Sequence, residues 1–271
     1  MPPFNSFAAV AAQYLEQNIA AVLVSVTRHR GSVPRHAGAQ MLVSATQTVD
    51  TIGGGNLEQS AIHHARAMLA SNQSHDSKHY ALGPSLGQCC GGAVDVAFSL
   101  LTEAAISHLI PLKPRFTLQL YGAGHVGKAI ANALQSIHCA VQWIDERDEH
   151  SHFDGDNPFT KCQLEPICVD SPAAEVGNAQ ANSMYLVLTH SHDLDLQIIQ
   201  AILKRGDFSY CGLIGSATKR ARFKHLLLAK GYSEALINRI TCPIGVDHIS
   251  GKEPEIIAAS VVAQLLQQSS V

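Results

Sequence analysis

Tyr121-Gly122-Ala123-Gly124-His125-Val126-Gly127 is the stretch on which the reading of this 271-residue chain turns. It follows Phe116–Tyr121, a strand-like run, and opens His125–Ile137, a helix-like one. The first glycine permits a tight turn. The second lets the backbone approach a phosphate, and the third lets helix and strand pack closely. The helix start adds N–H groups and partial positive charge that suit an anion. Asp145 ends the next strand, Ala140–Ile144, at about the spacing of a ribose-binding acid. Strand, glycine loop, helix and acid together predict a Rossmann-like domain. A bound NAD(P) stays open, because these glycines can also serve packing alone and a fold does not fix its ligand.

Outward from that loop the chain alternates strand and helix. Pro166–Val169, Met184–Thr189 and Tyr210–Ile214 read as strands, with helices near Leu194–Lys204, Ala217–Lys230 and Pro254–Gln268. This is the pattern of a doubly wound parallel sheet. If Met184–Thr189 is the fourth strand, it lies beside the first. Thr189-His190-Ser191-His192-Asp193-Leu194-Asp195 then faces the glycine loop across the crevice where such sheets bind ligands. Gly215-Ser216-Ala217-Thr218-Lys219-Arg220 brings a small-residue helix start and two cations to the same side. The plainer reading of Lys219, Arg220 and Arg222 is a solvated helix face. His190-x-His192 is also similar to the T-H-x-H-x-D-H motif of metallo-β-lactamase-like hydrolases. Here Leu194 stands in the Asp position and Asp195 in that of the final His, so a metal-dependent hydrolase would need ligands from elsewhere.

Pro111-Leu112-Lys113-Pro114 is the linker candidate, which sets the expected domains at 1–113 and 114–271. The first domain reads as α+β. It starts with a helix over Phe7–Gln17 and a strand over Ala20–Val26 whose continuous apolar run predicts burial on both faces. Two short strands follow at Gln40–Ser44 and Thr48–Ile52. Asn56 is the expected cap of a helix to about Ala70, Ser71–Ser77 a polar loop, and Ala93–Ser99 a strand.

A formal net charge of −3 and a pI near 6.6 argue against nucleic acid and anionic membrane surfaces as partners. The seven cysteines show no C-x-x-C spacing and read as reduced thiols of a cytoplasmic protein. Met1-Pro2-Pro3-Phe4 lacks the start of a signal peptide, and runs such as Ala20–Val24 are too short to span a bilayer.

Three amino-terminal segments carry the remaining information. They are Gly31-Ser32-Val33-Pro34-Arg35-His36-Ala37-Gly38-Ala39-Gln40-Met41-Leu42-Val43, Thr51-Ile52-Gly53-Gly54-Gly55-Asn56-Leu57-Glu58, and Leu86-Gly87-Gln88-Cys89-Cys90-Gly91-Gly92. Triple glycine before a helix exposes backbone N–H groups to an anion or a pterin. Adjacent cysteines in a glycine-rich turn offer thiols to a soft metal or to sulfur, or are simply two small residues at a turn. Vicinal cysteines chelate one metal poorly, which argues against zinc.

Together these segments resemble the XdhC/CoxI family, in its xanthine dehydrogenase branch. The second half is similar to that family's Rossmann domain through Tyr121–Gly127, Asp145-Glu146-Arg147, Thr189-His190 and Gly212-Leu213-Ile214-Gly215-Ser216. The resemblance implies a non-catalytic accessory protein. Such a protein would bind molybdenum cofactor, protect it during terminal sulfuration, and deliver it to apo xanthine dehydrogenase or a related molybdenum hydroxylase. A cysteine desulfurase is the implied sulfur source. The implied contacts are Arg35, Gly53, Gly54, Gly55, Glu58, Gln88, Cys89 and Cys90 in the first domain, with the two cysteines near molybdenum. In the second they are Gly122, Gly124, His125, Gly127, Asp145, His190, His192, Ser216, Lys219 and Arg220. A cleft between the domains is the expected location. An NAD(P)-dependent oxidoreductase explains Gly122–Gly127 and Asp145 but not the triple glycine or Cys89-Cys90. The number of subunits stays open, a homodimer included.

Overall fold

A computed structural model of the chain describes residues 7–83, 91–107, 109, 114–147 and 161–269. It divides into two units, Met1–Leu112 and Lys113–Val271.

In the first unit β1 (Ala21–Arg30) is the middle strand of five. The others are β2 (Gln40–Ser44), β3 (Thr48–Asp50), β4 (His75–Ala81) and β5 (Ala93–Leu100), in the order β3-β2-β1-β5-β4 with antiparallel pairing. The apolar start of β1 is buried on both faces, as its sequence predicts. Val22, Val24 and Val26 pack with Leu57, Ala61, Ala65 and Met68 of α2 (Gly55–Ser71). Ala21 and Leu23 pack with Val10, Ala11 and Tyr14 of α1 (Phe7–Glu16) and with Ile106 of α3 (Glu103–Ser107). A bulge between Val26 and Arg28 shifts the register against β5, and from Thr27 onward β1 is exposed.

Two expectations for this unit need correction. The cap of α2 is Gly54, not Asn56, because the turn enters the helix at φ 73° and ψ −173°, where a side chain is excluded. The polar stretch expected as a loop becomes strand β4 from His75. It is an edge strand, so pairing with β5 on one side sustains it without an apolar pattern.

Among the described residues the second unit holds six parallel strands. They are β6 (Thr117–Tyr121), β7 (Ala140–Asp145), β8 (Gln163–Cys168), β9 (Met184–Val187), β10 (Tyr210–Leu213) and β11 (Ile240–Thr241). Their order β11-β10-β9-β6-β7-β8 is that of a Rossmann fold, with β9 beside β6 as expected. Leu118, Leu120, Val141 and Trp143 pack under α4 (His125–Leu134) and α8 (Pro254–Gln268). Tyr121, Ile144, Tyr185 and Val187 pack on the other face, against α5 (His192–Arg205), α6 (Ala217–Ala229) and a 3-10 helix over Pro172–Asn178. That 3-10 helix, α3, the short α7 (Glu234–Ile237) and β11 go beyond the sequence reading, being too short to show a period. Helix α5 begins two residues earlier than expected, since the Ser191 hydroxyl accepts the Leu194 N–H and caps it. Among the described residues no helix is long and apolar enough to cross a membrane.

Candidate functional site

The glycine loop leaves the carboxyl end of β6, at the point where strand order reverses. Its three glycines are there for different reasons. Gly122 has φ +116°, and a Cβ on it would approach the Leu188 carbonyl oxygen to 2.4 Å. A Cβ on Gly127 would lie 2.0 Å from the Gly122 oxygen. Neither position tolerates a side chain. Gly124 has an ordinary φ of −72°, and nothing lies within 4 Å of its Cβ position. Among the described residues no contact requires that residue to be bare, and open space lies above it. As the cap residue of α4 it also offers no side chain to the helix. Helices α5, α6 and α7 each start instead on a serine hydroxyl, of Ser191, Ser216 and Ser233.

Asp145 ends β7 as expected but points inward. It is 4% exposed, and its Oδ2 accepts the Ala123 N–H of the glycine loop at 2.6 Å. Its Oδ1 accepts the Arg147 N–H at 2.9 Å and the Arg147 Nε–H at 3.2 Å, while Arg147 Nη2 reaches Oδ2 at 3.2 Å. Burial pushes the Asp145 carboxyl up. The Arg147 hydrogen bond and the two backbone N–H groups outweigh burial and leave it below the usual carboxylate range. Beside it, Glu146 is exposed and meets His190 Nε2 at 3.3 Å.

Lys219 departs from the expectation of a cation facing the crevice. It turns inward, 9% exposed at the side chain, and its Nζ donates to Asp195 Oδ2 at 2.5 Å and to the Ile214 carbonyl at 2.9 Å. Asp195 is wholly buried and would be left as a lone charge without it. The other Asp195 oxygen accepts the Thr189 N–H and hydroxyl. This network ties the loop after β9 to the loop after β10. Ser216 caps α6 through the Lys219 N–H, and His125, His192 and Arg220 are exposed on the first turns of α4, α5 and α6. Among the described residues no group of three or more His, Cys, Asp or Glu side chains could hold a metal.

In the first unit the described parts of the three motifs meet. A Cβ on Gly53 would sit 2.6 Å from Pro34 Cβ and 3.6 Å from Arg35 Cγ. Ser32 bridges Gly91, and a Cβ on Gly92 would lie 2.2 Å from the Ser32 oxygen. Gln88, Cys89 and Cys90 lie outside the described residues. Glu58 reaches back over the triple glycine. Its Oε2 accepts the Ile52 and Gly54 N–H groups, each at 3.1 Å, and the Thr51 hydroxyl. The Gly53 N–H goes to Thr51 Oγ1 at 3.0 Å. Two triple-glycine donors that the sequence offers to an external anion are therefore engaged within the chain, Gly54 by the Glu58 carboxylate and Gly53 by the Thr51 hydroxyl. Arg35 is exposed, and the His29 and His36 rings lie beside each other at 4.9 Å. No acidic residue occurs between Glu16 and Asp50 in the sequence, but Asp95 of β5 stands opposite Arg28 and meets His79 Nδ1 at 2.6 Å.

Both halves of the chain match known family models. A model of the XdhC Rossmann domain matches residues 118–265, and one of the XdhC and CoxI family matches residues 14–81. The chain belongs to the XdhC and CoxI family. It is 30% identical over 261 residues to the uncharacterized protein YqeB of Escherichia coli (strain K12), covering 95% of this chain and 45% of YqeB. It thus spans about half the length of that curated relative. A crystal structure described as a xanthine dehydrogenase from Bacillus halodurans superposes with a TM-score of 0.72 at 19% identity. That match covers 96% of this chain and 95% of the other, and shows a shared fold.

Two features of this XdhC/CoxI-family chain escape the motif reading. Glu146 is quoted in the Asp145-Glu146-Arg147 motif, yet the spacing rule selects its neighbour. A polar groove beyond β11 is lined by Arg220, Asn238, Thr241, Asp247, Ser260 and Gln264. Its floor is pinned where the Val246 N–H meets Ser260 Oγ and the Gly245 N–H meets Gln264 Oε1. Only the Gly245, Asp247, Ser250 and Gly251 interruptions of Ile244–Gly251 hint at it.

Proposed function

We propose that the chain is a maturation factor for a molybdenum hydroxylase such as xanthine dehydrogenase. It would bind a molybdopterin-type cofactor, shield it during sulfuration by a cysteine desulfurase, and release it to the apo-enzyme without turnover of its own. Membership of the XdhC and CoxI family supports the maturation role. The observation that carries the ligand class is Gly124, bare without an internal reason at a helix start on the binding edge of the sheet. Such a place suits a phosphate, which the cofactor carries. The group would bring a pterin and a dithiolene-bound molybdenum. Backbone donors at Gly124 and His125 would hold its phosphate, and the family resemblance alone brings in Arg35 as a cation and Cys89 and Cys90 as soft donors for the metal. On this reading Glu58, Asp145 and Lys219 act by holding the loops in shape.

The test is anaerobic incubation of the full chain with released molybdenum cofactor, followed by gel filtration. Molybdenum and pterin fluorescence should co-elute with the protein near one per chain. Elution of both only in the small-molecule volume would overturn the proposal.

A further inference from the structure

Strands β7 and β9 lie on either side of β6, so their ends are about 9–10 Å apart at ordinary strand spacing. Glu146 follows β7 and His190 follows β9, and their side chains meet at 3.3 Å. The pair therefore spans the carboxyl end of β6, where Gly122 begins the glycine loop. Both residues keep solvent access, with 37% of the Glu146 side chain and 45% of the His190 side chain exposed. Asp145, the acid at the usual position for a ligand hydroxyl, is 4% exposed, and both its oxygens are held by Ala123 and Arg147. A ligand in the crevice would find Asp145 closed and Glu146 open.

We infer that Glu146, not Asp145, takes the hydrogen-bond donor edge of the ligand in this crevice, and that His190 holds Glu146 in place across the end of β6 until the ligand arrives. This rests on the proposed reading of the crevice as a phosphate-bearing ligand site. A carboxylate accepts two donors side by side. Two sources share that chemistry: the vicinal hydroxyls of a nucleotide ribose, and the amino-pyrimidinone edge of a pterin. A carboxylate at this position also disfavours a phosphate on the ribose, by like-charge repulsion.

Two probes separate the sources. NADH carries the ribose diol, and neopterin monophosphate carries the pterin edge; both are titrated by fluorescence into the full-length chain and into Glu146→Gln, His190→Gln and Asp145→Asn. Glu146→Gln keeps the shape but loses the charge, and should weaken the bound probe about 10- to 100-fold, the worth of a charged hydrogen bond. Inorganic pyrophosphate, which lacks a donor edge, should compete equally well against wild type and Glu146→Gln. His190→Gln should change the affinity for the probe less than Glu146→Gln does, because the imidazole acts only through the carboxylate it positions. Asp145→Asn, compared at a temperature well below its melting point, should lose less affinity for the probe than Glu146→Gln does, since it acts only by shaping the loop through Ala123. If NADH binds through Glu146 and the pterin does not, the inference stands and the molybdenum-cofactor reading falls. If Glu146→Gln binds the pterin normally, the inference falls and that reading stands. Loss of binding in folded Asp145→Asn with unchanged Glu146→Gln, or no binding of either probe to wild type, would also overturn the inference.

Discussion

The Asp195 carboxylate and the Lys219 ammonium meet at 2.5 Å with the acid wholly buried, and the pair joins the first turn of α5 to the first turn of α6. Breaking it from one side leaves a charge in the interior. Lys219→Met should destabilise the second unit by roughly 3–5 kcal/mol, the usual cost of stranding one half of a buried pair. Asp195→Leu combined with Lys219→Met should recover much of that loss. Urea unfolding of the single and double variants checks both, and a double variant less stable than either single one would contradict this account.

The glycine loop predicts opposite outcomes for two similar changes. Gly127→Ala places a methyl 2.0 Å from the Gly122 oxygen and should lower stability by about 1–3 kcal/mol. Gly124→Ala meets nothing within 4 Å at an ordinary φ, and should change stability by less than about 1 kcal/mol. Melting of both variants is the measurement. The same Gly124→Ala protein should bind the phosphate-bearing probe more weakly than wild type.

Glu58 fixes the turn before α2 through Ile52, Gly54 and Thr51. Glu58→Ala should cost about 1–3 kcal/mol, since the turn's donors lose a charged acceptor while retaining partial access to water. Hydrogen exchange gives the sharper signal. The Ile52 and Gly54 amides should lose protection while those in the middle of α2 keep theirs.

Asp145 predicts a pH dependence with a definite sign. Its folded carboxyl lies below the usual range, so ionised Asp145 favours the folded state above that range. The contribution disappears as pH falls through the lowered folded value. Asp145→Asn should melt below wild type at pH 7, and the gap should narrow from about pH 4 downward. A gap that widens in acid would show that the carboxylate is not held as described.

Long elements with a clear period were legible in the sequence. Pro254–Gln268 shows a proline start and an apolar face, and the Rossmann strands show buried runs bounded by turn residues. What escaped depends on partners distant in the chain. The spacing of Asp145 could be read, but not that Ala123 and Arg147 would take its oxygens. Lys219 reads as a cation, and the buried Asp195 on the preceding helix turns it inward, together with the Ile214 carbonyl. His75–Ala81 is polar because it lies at the edge of its sheet, so a search for apolar alternation passes over it. The choice of Gly54 over Asn56 as cap follows from a backbone angle that composition does not reveal.

That edge strand bears on how the chain avoids sticking to itself. Among the described residues β4 pairs with β5 alone, so its outer backbone groups offer a template seven residues long to another strand. Its side chains oppose such growth. Lys78 sits at the centre of His75–Ala81, so in-register antiparallel pairing of two copies would set ammonium against ammonium, with histidines nearby. The polarity that hides β4 from a sequence search is thus also a guard against aggregation while the protein is being made.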